Sequence, residues 1–281
     1  MNTAPATPHA SRLTDRKALS RQRDRARRQG TVDYLQRLAA VEVQDRLAEV
    51  NRRFTRVAVI TAFPEIWREY FPDARFVADE TVLDLPQQSL DLVVHAMGLH
   101  WSDDPVGQII QSRLALVPDG LFIAVLPGGR SLAGLRAALT RAEAEVSGGL
   151  SPRLLPMADI RDLGALINRA GLALGVADQL EQRVSWRDAF HMMRDLRGMG
   201  EANAMQNRLR VPTRRAVLTR AAEIMAETCA DPDNPGRIRD GFELIFLTGW
   251  APAEGQQKPL RPGSARMSLA EALNSQEKPR P

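Results

Sequence analysis

Residues 76–129 constrain the fold of this chain more than any other stretch, because they read as a strand, a helix and a second strand in succession. Two continuous apolar runs, 90–97 and 121–126, flank a segment whose apolar residues recur at the three- and four-residue spacing of a helix. Neither run alternates apolar with polar residues, which is typical of parallel strands covered on both faces. The pattern therefore predicts an α/β protein with helices on both sides of a mainly parallel sheet.

The rest of the chain supplies further elements for such a sheet. Short apolar runs predict additional strands at 57–63, 74–78, 172–184 and 242–250. Amphipathic or capped segments predict helices at 34–50, 132–146, 159–171, 186–197 and 214–228. Residues 1–11 lack any apolar period and predict disorder, and residues 251–281 form a tail rich in Pro, Gly and basic residues.

Ligands of open parallel sheets bind outside the carboxyl ends of the strands. The segments that follow the two central strands, 95–104 and 127–130, are therefore candidate ligand contacts, together with Asp79 and Glu80 after the short strand. A glycine turn at 128–129 could seat a phosphate or could simply be a tight strand-to-helix turn, and Ser102, Asp103 and Asp104 could cap the following helix.

Cysteine and histidine usage argues against a metal protein. The single Cys229 excludes an intramolecular disulfide and fits a reducing compartment, and the four histidines show no metal-ligand spacing. No apolar run approaches the roughly 20 residues that span a bilayer, and the N-terminus lacks the apolar core of a secretory signal. These features predict a soluble, cytoplasmic protein without a membrane span or a metal.

The basic residues are concentrated near the N-terminus. The formal charge is +4 and the sequence pI is about 9.8, and five arginines fall within residues 21–28. Such a run is typical of a solvated helix face or a flexible arm, and we interpret residues 1–33 as a flexible or basic N-terminal arm. Binding of an acidic partner, polyphosphate or nucleic acid through this run is the alternative.

Several segments resemble a known family. VADETVLDLPQQSLDLVVHAMGLHWSDDP and LALVPDGLFIAVLPGG are similar to the middle of class I S-adenosylmethionine-dependent methyltransferases. RDLRGMGEANAM and FELIFLTGWAPAEGQQKPLRPGSA resemble bacterial relatives of respiratory complex I assembly factor 5, in the group that also holds the malonyl-acyl-carrier-protein methyltransferase of biotin synthesis. This resemblance covers the chain from about residue 13 to residue 273.

The resemblance implies a Rossmann-like sheet of six or seven strands whose last hairpin is antiparallel. The methyltransferase-like domain would span residues 34–250, with residues 186–229 as a helical lid and 251–281 as the tail. S-adenosylmethionine would be the cofactor, with no metal. Transferred by motif, the cofactor contacts would be Asp79, Glu80, Met97, Gly98 and Leu99. The residues at the pocket edge would be His95, His100 and Trp101.

The sequence departs from the family at the first strand. A cofactor-binding member has a glycine-rich turn there, because the cofactor presses on the backbone, whereas this chain has Thr61-Ala62-Phe63-Pro64-Glu65. Pro64 also removes an N–H donor. The sequence around Asp79 matches the family's third strand, so one strand-helix unit is missing between residue 57 and the strand that starts at residue 90. The cofactor site is therefore interpreted as degraded.

Three functional hypotheses follow. The first is a methyltransferase-fold protein that works through a protein partner as an assembly or regulatory factor, related to complex I. The second is an active methyltransferase, in which Asp79 or Glu80 accepts a hydrogen bond from the adenine and residues 97–101 contact cofactor and substrate. The third is a nucleic-acid or polyphosphate binder. His100 and Trp101 are also compatible with a packing role, because a histidine or aromatic after a buried strand usually packs.

Overall fold

A computed structural model describes residues 12–256 and shows one six-stranded mixed sheet. The spatial order of the strands is β2-β1-β3-β4-β6-β5. The first four strands are parallel, and β6 runs antiparallel to both β4 and β5. The strands are β1 (Val57–Thr61), β2 (Arg75–Val77), β3 (Leu90–Ala96), β4 (Leu116–Pro127), β5 (Ala173–Trp186) and β6 (Ile238–Trp250). The predicted Rossmann-like class I methyltransferase sheet, with six strands and an antiparallel final hairpin, is confirmed.

Helices cover both faces of this sheet. They are α1 (Arg16–Gln29), α2 (Tyr34–Glu49), α3 (Pro64–Trp67), α4 (Pro105–Ala115), α5 (Ala133–Ser147), α6 (Ile160–Arg169), α7 (Ala189–Gly198) and α8 (Arg215–Thr228), with a short 3₁₀ turn at Leu99–Trp101. The start of α4 follows the capping rule, since the Asp104 carboxylate accepts from the Gly107 N–H at 2.8 Å and Pro105 takes the first helical position.

The continuous apolar strands contribute side chains to two hydrophobic cores, one on each face of the sheet. Successive β3 residues point to opposite faces, so Leu92 and Val94 join one core and Val93 joins the other. The first core includes residues of α2, α5, α7 and α8, and the second includes residues of α4 and α6. Val59, Val93 and Val94 are fully buried, as expected for parallel strands covered on both faces.

The edge of the sheet shows the effect of the missing unit. β2 carries the sequence that resembles the family's third strand, yet it pairs directly with β1, with Ala58 opposite Arg75 and Ile60 opposite Val77. The strand therefore lies one place closer to the centre of the sheet than its sequence indicates. The carboxyl end of β2, which carries Asp79, is thereby brought beside the turn that follows β1.

The N-terminal segment differs from the arm that the charge pattern suggested. Residues 1–11 lie outside the described part of the chain, but residues 16–29 form α1, capped by Asp15, whose carboxylate accepts from the Ala18 N–H at 3.0 Å. Leu19 and Ala26 are buried, and Arg23 shares their face and is 5% exposed. The helix packs against the rest of the protein through this buried face. The many arginines of the segment make the apolar spacing hard to recognise in the sequence. Arg21, Arg25 and Arg28 remain exposed.

The segment interpreted as a lid is anchored to the rest of the protein at several points. Residues of α7 and α8 are buried in the first core, and α8 packs mainly against α5. After α7, Met205 pairs with Thr14, just before α1, in an isolated bridge. The first residue of the tail contacts the body of the protein, since the Ala251 N–H donates to Gly120 O at 2.8 Å. The rest of the tail, from residue 257 to residue 281, lies outside the described residues.

Candidate functional site

A buried ion pair occupies the carboxyl end of β2. Arg23 Nη1 donates to both carboxylate oxygens of Asp79 at 2.9 Å, and the two side chains are 6% and 7% exposed. Arg16 approaches the same carboxylate at 3.6 Å and also donates to the Asp79 backbone oxygen. The carboxylate expected to contact a cofactor is therefore paired with α1.

The turn after β1 carries a buried aromatic side chain. Phe63 is 1% exposed, and its N–H donates to the Thr61 hydroxyl at 3.1 Å. The Arg27 guanidinium lies over the Phe63 ring, 5.2 Å from its centroid, and donates to the Ala62 backbone oxygen. The ring belongs to the first core, whereas its neighbours Thr61, Ala62 and Pro64 face the open space at the carboxyl end of β1.

A continuous line of contacts joins this ring to the pair. Gly200 has a φ of +77° and lies against both Phe63 and Arg23. A Cβ added to it would be 3.1 Å from Phe63 Cζ and 3.0 Å from Arg23 Cγ. At the other end of the pair, a Cβ on Gly98 would lie 2.8 Å from an Asp79 oxygen. Phe63, Gly200, Arg23, Asp79 and Gly98 therefore form a packed wall at the carboxyl ends of β1, β2 and β3.

Two cavities with no common lining residue lie beside this wall. The first, which we call the arginine-lined cavity, measures about 710 Å³. Its walls come from α1, the turn after β1 and the segment after β2. The charged residues in its lining are Arg16, Arg23, Arg27, Asp79 and Glu80.

The second, which we call the apolar cavity, measures about 200 Å³ and is lined mainly by leucine and methionine side chains. Residues of α2, α5, α7 and the segment after β3 form its walls. The polar and aromatic side chains in its lining include His100, Trp101, Ser131, Arg153, Arg197, Glu201 and Asn203.

Glu201 organises the polar end of the apolar cavity. One carboxylate oxygen, Oε2, accepts from the Trp101 indole at 2.6 Å and contacts His100 Nε2 at 3.1 Å. Burial raises the pKa of Glu201, but the neighbouring His100, its hydrogen bond and the charge of Arg23 outweigh burial and hold the pKa below the ordinary value. The apolar cavity therefore presents an ionised carboxylate.

Two strained residues lie in the wall of the same cavity. Met97 and Leu132 both adopt positive φ, +54° in each case, and both are buried. Such a conformation costs a residue with a Cβ about 1–3 kcal/mol and often occurs at functional sites. Tertiary hydrogen bonds hold both residues in place, from the Met97 N–H to Val125 O at 2.9 Å and from the Leu132 N–H to Gly241 O at 2.7 Å. The fold thus shapes this cavity with strained backbone.

The predicted site residues are divided between these regions. Asp79 and Glu80 line the arginine-lined cavity, and Met97, His100 and Trp101 line the apolar cavity. Gly98 lies between them against Asp79. His95 and Leu99 are buried on the α4 side of the sheet and line neither cavity.

His95 instead links β3 to α4. Its Nε2 contacts the Gln108 side-chain oxygen at 2.8 Å, and Gln108 Nε2 donates to the Glu80 backbone oxygen at 2.9 Å. Complete burial lowers the pKa of His95 from 6.5 to about 4, so the ring is neutral at pH 7.

We expect acidification to destabilise the protein through His95. Its folded pKa lies below its unfolded pKa, so the unfolded chain binds more protons between about pH 6.5 and pH 4, and the free energy of unfolding falls across that window by roughly 3 kcal/mol. Urea titrations at several pH values, run in parallel on wild type and His95→Asn, measure this effect. The difference in free energy of unfolding between wild type and His95→Asn should vary with pH in this window. A difference that is constant with pH would contradict the lowered pKa of His95.

Sequence reasoning missed Arg23, Gly200 and Glu201. Both Gly200 and Glu201 lie in the quoted segment RDLRGMGEANAM, whose similarity to the family was noted without a role. Leu19, Arg23 and Ala26 are spaced by four and three residues, and that spacing would have placed Arg23 on the apolar face of α1.

The residues at the expected cofactor position are engaged with one another. Phe63, in the turn after β1, is buried, and Asp79 is paired with Arg23. Thr61, Ala62 and Pro64 of the same turn line the arginine-lined cavity together with Asp79.

Within residues 12–256, no cluster of three or more His, Cys, Asp or Glu side chains is arranged to hold a metal ion. The helices in this part of the chain are too short or too polar to cross a membrane.

Comparisons with known proteins agree with the resemblance. Over 195 residues the chain is 36% identical to "Arginine-hydroxylase NDUFAF5, mitochondrial" of Danio rerio, covering 69% of this chain and 60% of that protein. Over 181 residues it is 28% identical to a malonyl-[acyl-carrier protein] O-methyltransferase of Xylella fastidiosa, covering 64% of this chain and 58% of that protein. The chain thus spans about 60% of the length of these relatives. No protein-family model matches it.

Among solved structures, the YcgJ protein from Bacillus is similar with a TM-score of 0.46 and 12% identity, covering 76% of this chain and 98% of that one. The sequence similarity supports the resemblance: the chain is similar to members of the class I S-adenosylmethionine-dependent methyltransferase superfamily, in the group that includes NDUFAF5.

Proposed function

We propose that this protein works as an assembly or regulatory factor that engages a protein partner at the apolar cavity, without S-adenosylmethionine. The observation that carries the proposal is the Arg23–Asp79 pair, because it occupies the carboxylate that a cofactor would need. By analogy with the complex I assembly factor group, we infer a respiratory complex I subunit as the partner. A cytoplasmic location for this chain stays a prediction.

The chemistry of the apolar cavity supports one kind of partner group. Leucine and methionine walls suit an aliphatic stem, and the ionised carboxylate of Glu201 suits a cationic head. An arginine side chain of the partner combines the two. The name of the NDUFAF5 relatives, arginine-hydroxylase, is consistent with such a group.

Isothermal titration calorimetry with S-adenosylmethionine tests the first half of the proposal. We expect no binding heat at ligand concentrations up to about 1 mM, which corresponds to less than about 4 kcal/mol of binding free energy. Micromolar binding of S-adenosylmethionine would contradict the proposal and favour an active methyltransferase.

A deletion strain of the source organism tests the second half. We expect less assembled complex I, restored by wild type and by Glu227→Gln, an exposed carboxylate on α8, and not by Glu201→Gln. The glutamine introduced by Glu201→Gln can still accept from Trp101, so the loss would report the missing charge. Blue-native gels with an NADH activity stain give the measurement. Equal rescue by both variants would remove Glu201 from the interaction, and normal complex I in the deletion strain would overturn the partner assignment.

A further inference from the structure

The strand β5 forms one edge of the sheet and is long for an edge strand. It spans 14 residues and, within residues 12–256, pairs with β6 alone. An edge strand presents free N–H and C=O groups to other chains, and natural edges are commonly protected by short length, a proline, a lysine or a bulge. In β5 a register shift between Ala173 and Val176 disturbs only the first residues, and residues 177–186 contain neither proline nor lysine. Most of β5 is therefore open to a further strand.

The hydrogen bonds of β5 indicate which of its backbone groups are free. In an antiparallel pair, successive residues direct their N–H and C=O groups alternately toward the neighbouring strand and away from it. The Arg183 carbonyl accepts from the Gln182 side chain at 3.0 Å, and the Ser185 carbonyl accepts from the Arg237 side chain at 2.8 Å. Side chains reach these two carbonyls, which indicates that the odd-numbered residues, Glu181 among them, present their backbone groups at the open edge.

The two faces of β5 differ in chemistry. Leu180 and Val184 are half-buried and pack against the first core, whereas Glu181 and Arg183 are 56% and 63% exposed on the opposite face. Arg183 contacts Glu181 at 3.1 Å, and an ion pair this exposed holds weakly. On its inner side Glu181 lies opposite Glu243 of β6, which is a like charge. An additional cation on the outer side of Glu181 would therefore be favourable.

The sequence of β5 is complementary to itself in the antiparallel direction. A two-fold axis normal to the sheet and centred on Gln182 places Glu181 of one copy opposite Arg183 of the second copy, and Leu180 opposite Val184. Opposite residues of an antiparallel pair share a face, so this register makes two ion pairs on one face and two apolar pairs on the other. Moving the centre by one residue places Glu181 opposite Glu181, or Arg183 opposite Arg183. The charges therefore select the register centred on Gln182.

We propose that two copies of this chain pair through β5 in this register and form one continuous sheet, with six strands from each copy. The backbone groups of Glu181 in one copy would bond to those of Arg183 in the other, and the two side chains would pair on the exposed face. No β5 residue is among those that line the apolar cavity, so this interface is separate from the site of the proposed function.

Sedimentation velocity of the full chain between about 1 and 200 µM tests this interface. We expect a monomer–dimer equilibrium with a dissociation constant in the micromolar range, which is about 7–8 kcal/mol of binding free energy. Glu181→Arg and Arg183→Glu should each weaken the dimer by about tenfold or more, because each places like charges opposite one another twice across the interface. Glu227→Arg and Arg215→Glu make the same charge changes at exposed positions of α8 and should change the dissociation constant less than about twofold.

An equimolar mixture of Glu181→Arg and Arg183→Glu tests the register itself. In a mixed dimer each of the two arginines of the first variant lies opposite a glutamate of the second, so the mixture should dimerise about as tightly as wild type although each variant alone is weakened. The double variant Glu181→Arg/Arg183→Glu, which exchanges the two charges within one chain, should also dimerise like wild type. Both side chains are exposed, so circular dichroism should show the wild-type fold for every variant.

Three results would overturn the proposal. A wild type that stays monomeric at about 200 µM would mean that β5 does not pair with a second copy. A dimer that Glu181→Arg and Arg183→Glu leave unchanged would place the interface elsewhere on the surface. A mixture of these two variants that stays monomeric would exclude the register centred on Gln182.

Discussion

We expect Arg23→Met to lower the free energy of unfolding by about 3–5 kcal/mol, because it removes the buried counter-charge of Asp79 and leaves only Arg16, which is 32% exposed and 3.6 Å away. Methionine preserves most of the apolar stem, so the loss reports the ion pair. Urea denaturation followed by circular dichroism gives the measurement. Arg25→Met, at an exposed position of the same helix, should stay within about 0.5 kcal/mol of wild type.

A double-mutant cycle separates the pair from its surroundings. Asp79→Asn should also destabilise, since it leaves the Arg23 charge buried, and the double variant should lose about 1–3 kcal/mol less than the sum of the single losses. Additive losses would mean that the two side chains do not interact energetically. An Arg23→Met variant with unchanged stability would show that α1 is not held to the sheet by this pair.

We expect Phe63→Ala to cost about 3–5 kcal/mol, because the ring is 1% exposed and its removal leaves a cavity between the turn after β1 and Gly200. Phe63→Leu, which fills most of the same space, should cost less than about 1.5 kcal/mol. Thermal and urea denaturation of both variants measure the difference. A loss below about 1 kcal/mol for the alanine variant would mean that the wall relaxes around the missing ring.

The alanine variant also tests what excludes the cofactor. We expect it to show no S-adenosylmethionine binding by calorimetry, since Arg23 still pairs with Asp79 and the missing strand-helix unit is not restored. A gain of micromolar binding would show instead that Phe63 alone closes the site.

The sheet could be predicted from sequence because its strands are continuous apolar runs. Residues 90–97 and 121–126 gave the centre of the sheet within a few residues, and the antiparallel hairpin followed from the family resemblance. The β4 strand starts five residues earlier than its apolar run, at Leu116, because Leu116 pairs with Leu90 across a register shift. Hydrogen bonding to a neighbouring strand extended the element there, and apolar content alone does not report it.

The site was less accessible to sequence reasoning because its contacts are long-range. Asp79 could be singled out from its place at a strand end, whereas its partner Arg23 lies 56 residues away in a run of arginines of similar appearance. His95 belongs to the same apolar run as Met97, yet it faces α4 and contacts Gln108. Which face a strand-end residue takes depends on the strand register, which the sequence does not contain.

The direct pairing of β1 with β2 has a consequence for how such chains can change length. A strand-helix unit can be added to a parallel sheet, or removed from it, without reversing the direction of any other strand. Without such a unit, the edge strand β2 pairs directly with β1, and the pairing of β3 with β4 does not have to change. The short connection between α3 and β2 is thus a natural insertion point. A transplanted strand-helix unit placed there would add a seventh strand between β1 and β2 and with it a new loop at the carboxyl edge of the sheet, where ligands of such sheets bind.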